Sequence, residues 1–198
     1  MTNTYQISCK NMSIQYYGFD LHDTILIRST DNNNKSHYIS DMLEFNLKSE
    51  LDYKKHWYTI EGREKFTASF KKYSLFEGYV LNPDFKYILE KIDHKKMFIY
   101  SNCGNVLEVV QKKFPELNEI LFFSAASLKC FKPNTNGFKH IIDSLNSSPE
   151  EILYCGDNIL NDYISPRLLG IHSILYSQKN FDIPGTNIQQ IDSLKSII

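Results

Sequence analysis

The chain has 198 residues, a formal net charge of -1, 42% hydrophobic and 23% charged residues, the balance of an ordinary globular domain with room for an insertion. That charge gives no electrostatic ground for a nucleic-acid or membrane-surface partner, and no run approaches the roughly 20 apolar residues of a membrane helix. Met1 to Met12 is polar with no apolar signal core, and Cys9, Cys103, Cys130 and Cys155 form neither a C-x-x-C pair nor a zinc-like cluster, so the expectation is a cytoplasmic protein with reduced thiols.

The run Ile14 to Phe19 is rich in β-branched and aromatic residues and predicts a buried strand. It ends in Asp20-Leu21-His22-Asp23-Thr24, three ionisable side chains within four positions. Asp31 to Asn34 is a turn-prone polar tract. Apolar spacing then predicts amphipathic helices over His37 to Leu51 and Arg63 to Tyr73. Trp57, Tyr58, Arg63, Phe66 and Tyr73 read as the core of this part, or as a clamp for a ring-bearing ligand. Leu81-Asn82-Pro83-Asp84 breaks the pattern, and Pro83 suits the first turn of a helix running to Ile92. Residues 25–93 therefore read as a helical cap insert, and residues 1–24 and 94–198 as one core domain.

From Lys96 onward, strands and helices alternate. Strands are expected at Met97 to Tyr100, Ile120 to Phe123, Ile152 to Cys155 and Ile174 to Tyr176. Helices are expected at Val106 to Phe114, Asn136 to Leu145 and Ile159 to Leu169. Such alternation implies βαβ units, hence a Rossmann-like α/β fold with a mainly parallel sheet and helices on both faces. Parallel strands present their carboxyl ends along one edge, where ligands bind. Asp20, Ser101 and Asp157 follow three of these strands, and Lys132 precedes a helix beside Pro133. Carboxylates gathered there repel one another unless a cation lies between them, and hard oxygen donors suit Mg²⁺.

In this order the residues resemble the haloacid dehalogenase (HAD) superfamily. Asp20-Leu21-His22-Asp23-Thr24 is similar to its D-x-D-x-[TV] motif, Phe98-Ile99-Tyr100-Ser101-Asn102 to its strand-ending Ser or Thr, Lys132-Pro133 to its Lys, and Gly156-Asp157 through Asp162 to its G-D-x-x-x-x-D. The resemblance implies a Mg²⁺-dependent phosphatase acting on a small phosphomonoester, a sugar phosphate or nucleotide. Asp20 would be the nucleophile and a metal ligand. Ser101 and Asn102 would bind the phosphoryl group, and Lys132 would neutralise charge. Asp157, Asp162 and the backbone carbonyl of His22 would complete the metal site.

One position departs from the family pattern. The second Asp, its general acid/base, is His22 here, and Thr24 keeps the register so that Asp23 falls on the variable position. His22 transfers protons near neutral pH, or is a turn residue with no such role. A local bulge that turns Asp23 inward is the other alternative. Loss of that Asp also admits an impaired binding or regulatory protein, or a dehalogenase-type hydrolase.

Overall fold

The computed structural model describes residues 13–29, 76, 78–103, 106–179, 181 and 188–198. The expected helices over His37 to Leu51 and Arg63 to Tyr73, and the aromatic stripe from Trp57 to Tyr73, lie outside the described residues.

In chain order the elements are β1 (Tyr16–Phe19), β2 (Leu26–Arg28), β3 (Tyr79–Leu81), α1 (Pro83–Leu89), β4 (Met97–Ser101) and α2 (Leu107–Lys113). After them come β5 (Leu121–Ser124), α3 (Ala125–Leu128), α4 (Asn136–Leu145), β6 (Ile152–Gly156), α5 (Ser165–Arg167), β7 (His172–Tyr176) and β8 (Gln190–Ile191). Six strands form one parallel sheet in the order β5-β4-β1-β6-β7-β8. The expected α/β Rossmann-like architecture is therefore present, with β1 central and its carboxyl end between those of β4 and β6.

Alternation along the strands builds the two faces. Met97 and Ile99 join Phe19, Leu153 and Cys155 in a cluster with Phe85 and Ile88 of α1 and Val110 of α2. Phe98 and Tyr100 join Ile152 and Tyr154 against Phe138, Ile141 and Leu145 of α4. Strands buried on both faces read as unbroken apolar runs, which is why they were legible.

The described residues at the two ends of the insert include strands. The insert is not helical throughout: β2 pairs antiparallel with β3, matching Leu26 with Leu81 and Ile27 with Val80. Phe85 of α1 packs edge-on against Phe19 of the central strand at 5.0 Å. Asn82 ties this re-entry point to the loop after β1. Its Nδ2 donates to the Thr24 carbonyl at 2.9 Å, its Oδ1 caps α1 by accepting from Asp84 N–H, and its N–H donates to the Ile25 carbonyl.

The expected helix Ile159 to Leu169 is wound as a wide π-type turn over Ile159–Ile164 before α5. Pro166 has no N–H to give the Asp162 carbonyl, which removes one i to i-4 bond from a regular helix. The wide turn places Asp162 inward, a common use of π-type geometry at functional positions.

Gly18 sits in β1 between two aromatic rings. A Cβ there would lie 2.2 Å from Phe98 Cζ and 2.6 Å from Tyr154 Cδ2, and both rings are fully buried. Gly18→Ala is expected to lower stability by about 2–3 kcal/mol through overpacking, measured by urea unfolding. An unchanged midpoint would contradict this packing.

Candidate functional site

The carboxyl ends of β1, β4 and β6 deliver the residues singled out in the sequence. Asp20 follows β1, with its N–H bonded to the Cys155 carbonyl of β6 at 2.9 Å. Ser101 closes β4 and is buried. Asp157 follows β6 and is partly exposed, while Asp162 is buried beneath it. One carboxylate oxygen from each of Asp20, Asp157 and Asp162 lies within 4.8 Å of the others, a set able to hold a metal ion.

Lys132 holds two of these three acids. It is 1% exposed, and its Nζ lies 2.7 Å from Asp20 Oδ1 and 2.6 Å from Asp162 Oδ1. Two further oxygens close on it from behind, Tyr154 OH at 2.9 Å and the Tyr100 carbonyl at 3.0 Å. Tyr154 OH in turn donates to that same carbonyl at 2.9 Å. Four oxygens thus surround an ammonium with three hydrogens, and the rings of Tyr100 and Tyr154 flank it at 5.2 and 5.3 Å. Burial works against the charge, but Asp162, Asp20 and Tyr154 outweigh it and hold Lys132 protonated well above its ordinary range.

Asp162 has both oxygens engaged, since Oδ2 accepts from Asn158 N–H at 3.0 Å. Burial pushes its carboxyl up to about 6 against the pull of Lys132. Asp157 moves further, to about 7, first by burial and then by the charges of Asp20, Asp162 and Asp23. Like charges held this close favour either a proton or a cation among them, and an all-carboxylate donor set fits a hard divalent ion.

His22 stands at the edge of this group and turns toward the insert. Its ring stacks on Phe76 at 5.9 Å and meets Tyr79 edge-on at 5.7 Å. Desolvation draws its pKa down to about 4, Lys132 and Arg28 adding to the effect and Asp23 opposing it. Loss of solvent around the ring favours the neutral imidazole. Asp23 takes a left-handed backbone conformation with φ of 56° and is exposed, a conformation Asp tolerates better than most residues. Its N–H bonds the Leu26 carbonyl at 2.8 Å, closing the loop.

Asn102 serves Lys132 through its side chain, accepting from Lys132 N–H at 2.7 Å and donating to the Lys132 carbonyl at 2.8 Å. The roles of Tyr100 and Tyr154 are not among the sequence expectations. The signal was present in each case: a tyrosine in a strand buried on both faces needs a partner for its hydroxyl.

Solved structures share this arrangement of elements. A HAD phosphatase from Thermococcus onnurineus matches with a TM-score of 0.64 at 15% identity, over 93% of this chain and 96% of its own. A 2-haloacid dehalogenase from Pseudomonas syringae matches with 0.64 at 14%, over the same 93% and 96%. YfnB from Bacillus subtilis bound to magnesium matches with 0.62 at 15%, again over 93% and 96%. The chain has the HAD-like fold. No protein-family model and no curated protein sequence matches it. Among the described residues no helix is long and apolar enough to cross a membrane.

The acid cluster predicts a specific pH behaviour. Between its ordinary 3.8 and about 7, folded Asp157 keeps a proton that the unfolded chain has released, so metal-free stability falls as pH rises through that window. His22 acts oppositely, because its pKa is lowered from 6.5 to about 4: stability falls as pH drops through that range. Asp157→Asn removes only the first effect. At pH 8 in chelator this variant is expected to melt a few degrees above the wild type, and added Mg²⁺ is expected to raise the melting temperature of the wild type alone. Equal melting curves in chelator would contradict the proposed repulsion.

Proposed function

We propose that this chain is a Mg²⁺-dependent phosphatase that hydrolyses a small phosphomonoester through a phosphoryl group carried on Asp20. The observation that carries the reading is the meeting of Asp20, Asp157 and Asp162 with the buried ammonium of Lys132 beside Ser101 at one sheet edge. The HAD phosphatase and the magnesium-bound YfnB among the structural neighbours support it.

Asp20 and Asp157 would hold the ion, with the His22 carbonyl as a further donor. Asp162 is committed to Lys132 and to Asn158 N–H, and adds negative charge to the set. Mg²⁺ held there would supply positive charge to offset that of the carboxylates and of a substrate phosphate. Asp20 attacks phosphorus, forming an acyl phosphate as the P–O bond breaks and the leaving group departs as an oxyanion that takes its proton from solvent water. Water attacks that phosphorus in the second step, releasing phosphate and restoring the carboxylate. Lys132 holds Asp20 in line, and the Ser101 hydroxyl binds a phosphoryl oxygen.

His22 decides which substrates turn over. A neutral imidazole with a pKa of about 4 gives no proton to the departing oxygen and is a weak base toward water. The leaving group therefore departs largely on its own stability, which favours phosphate esters of acidic alcohols or phenols, or acyl phosphates. The dehalogenase reading draws on the same residue, because displacement at carbon needs no second carboxylate; halide release from a 2-haloacid in chelator would establish it instead.

Two variants test the reading. Asp20→Asn is expected to abolish Mg²⁺-dependent hydrolysis of an aryl phosphate, and activity surviving that change would remove Asp20 as nucleophile. His22→Asp is expected to raise turnover of alkyl phosphates by about 10²-fold, the lower range of general acid/base help, and to flatten the dependence of rate on leaving-group acidity. If the variant keeps the wild-type dependence, position 22 has no part in proton transfer.

A further inference from the structure

The segment Cys130 to Pro133, which brings Lys132 to the crevice, belongs to no helix or strand. Its place is set by side chains from other elements. Tyr100 donates through its hydroxyl to the Cys130 carbonyl at 3.2 Å, and Ser165 donates through Oγ to the Pro133 carbonyl at 2.8 Å. Neither bond reaches the peptide groups of Lys132 itself. Asn102 reaches both of them, at 2.7 and 2.8 Å. Two opposed bonds to the N–H and C=O of one residue restrain both its flanking peptide planes, much as a neighbouring strand would. A short carboxamide suits this, because it carries a donor and an acceptor on one rigid plane.

Asn102 also follows Ser101 directly, at the end of β4. We propose that Asn102 is a positioning residue whose carboxamide clamps the main chain of Lys132, fixing the ammonium relative to Asp20 and to the Ser101 hydroxyl, and that it does not itself bind substrate. The clamp gives an irregular loop the precision of a sheet neighbour. It links two groups 30 residues apart in sequence that must address the same ligand.

The kinetic arm of the test rests on the phosphatase reading. Asn102→Ala is expected to lower kcat on an aryl phosphate about tenfold or more while KM stays within about twofold, as a displaced catalytic group does. Substrate binding by this side chain would raise KM instead and overturn the proposal. In a Lys132→Met background the same change is expected to add nothing, because both substitutions remove one function.

A second arm needs no turnover. With lysines labelled at Cε, Lys132 lies between the Tyr100 and Tyr154 rings and is expected to give a ring-shifted NMR signal that is missing from Lys132→Met. That signal is expected to move toward the exposed lysines in Asn102→Ala. Asn102→Asp keeps the volume and the acceptor but loses the donor facing the Lys132 carbonyl; it is expected to shift the signal the same way and serves if the alanine variant does not fold. An unmoved Lys132 signal in either folded variant overturns the clamp. A moved signal in a protein that hydrolyses no phosphomonoester supports the clamp while overturning the phosphatase reading.

Discussion

The structure depends on one buried ammonium. Lys132 lies between Asp20 and Asp162 at 2.7 and 2.6 Å, almost wholly out of water. Buried ion pairs add little net stability compared with apolar packing, but losing one partner costs on the order of 3–5 kcal/mol, since it strands the opposite charge. Here the loss of Lys132 would strand two carboxylates beside a third. A charge this costly to maintain by packing alone is intelligible as equipment for handling a charged ligand.

The scaffold is arranged to hold that charge in place. β1 lies between β4 and β6, so Asp20, Ser101 and Asp157 emerge from adjacent strands. The tyrosines of β4 and β6 point to the face away from α1 and meet behind the ammonium, Tyr154 donating to the Tyr100 carbonyl. Gly18 of β1 leaves room for the Tyr154 ring beside that of Phe98. On the opposite side, Asn82 fastens the return of the insert to Thr24 and Ile25, so the loop bearing Asp20, His22 and Asp23 is braced from the point where the chain re-enters the core.

Much of this was legible from sequence, for identifiable reasons. Strands buried on both faces write themselves as apolar runs, and the helix Asn136–Leu145 shows in the sequence because its apolar positions recur regularly. The charged strand ends pointed to Asp20, Ser101, Lys132 and Asp157 as residues of one edge. The pairing of β2 with β3 was missed, because three-residue strands carry no period and pair across some fifty residues. The π-type turn was missed because regular apolar spacing does not reveal the bond that Pro166 cannot make. The bonds of the Asn102 carboxamide to Lys132 are not visible in the sequence, because only the fold places the two side by side. His22 was legible as a departure, but its neutral state comes from Phe76 and Tyr79, which the chain brings back from far along the sequence.

The most direct measurement is an attempt to trap the proposed phosphoryl group on Asp20. The protein is mixed with Mg²⁺ and an aryl phosphate, quenched in acid within milliseconds, reduced with borohydride and mapped by mass spectrometry, which converts a phosphorylated aspartate to homoserine. Homoserine is expected at position 20 and at no other aspartate, with none formed in chelator. Phosphate release without homoserine at position 20, or homoserine at Asp157 or Asp162 instead, would contradict a nucleophilic Asp20.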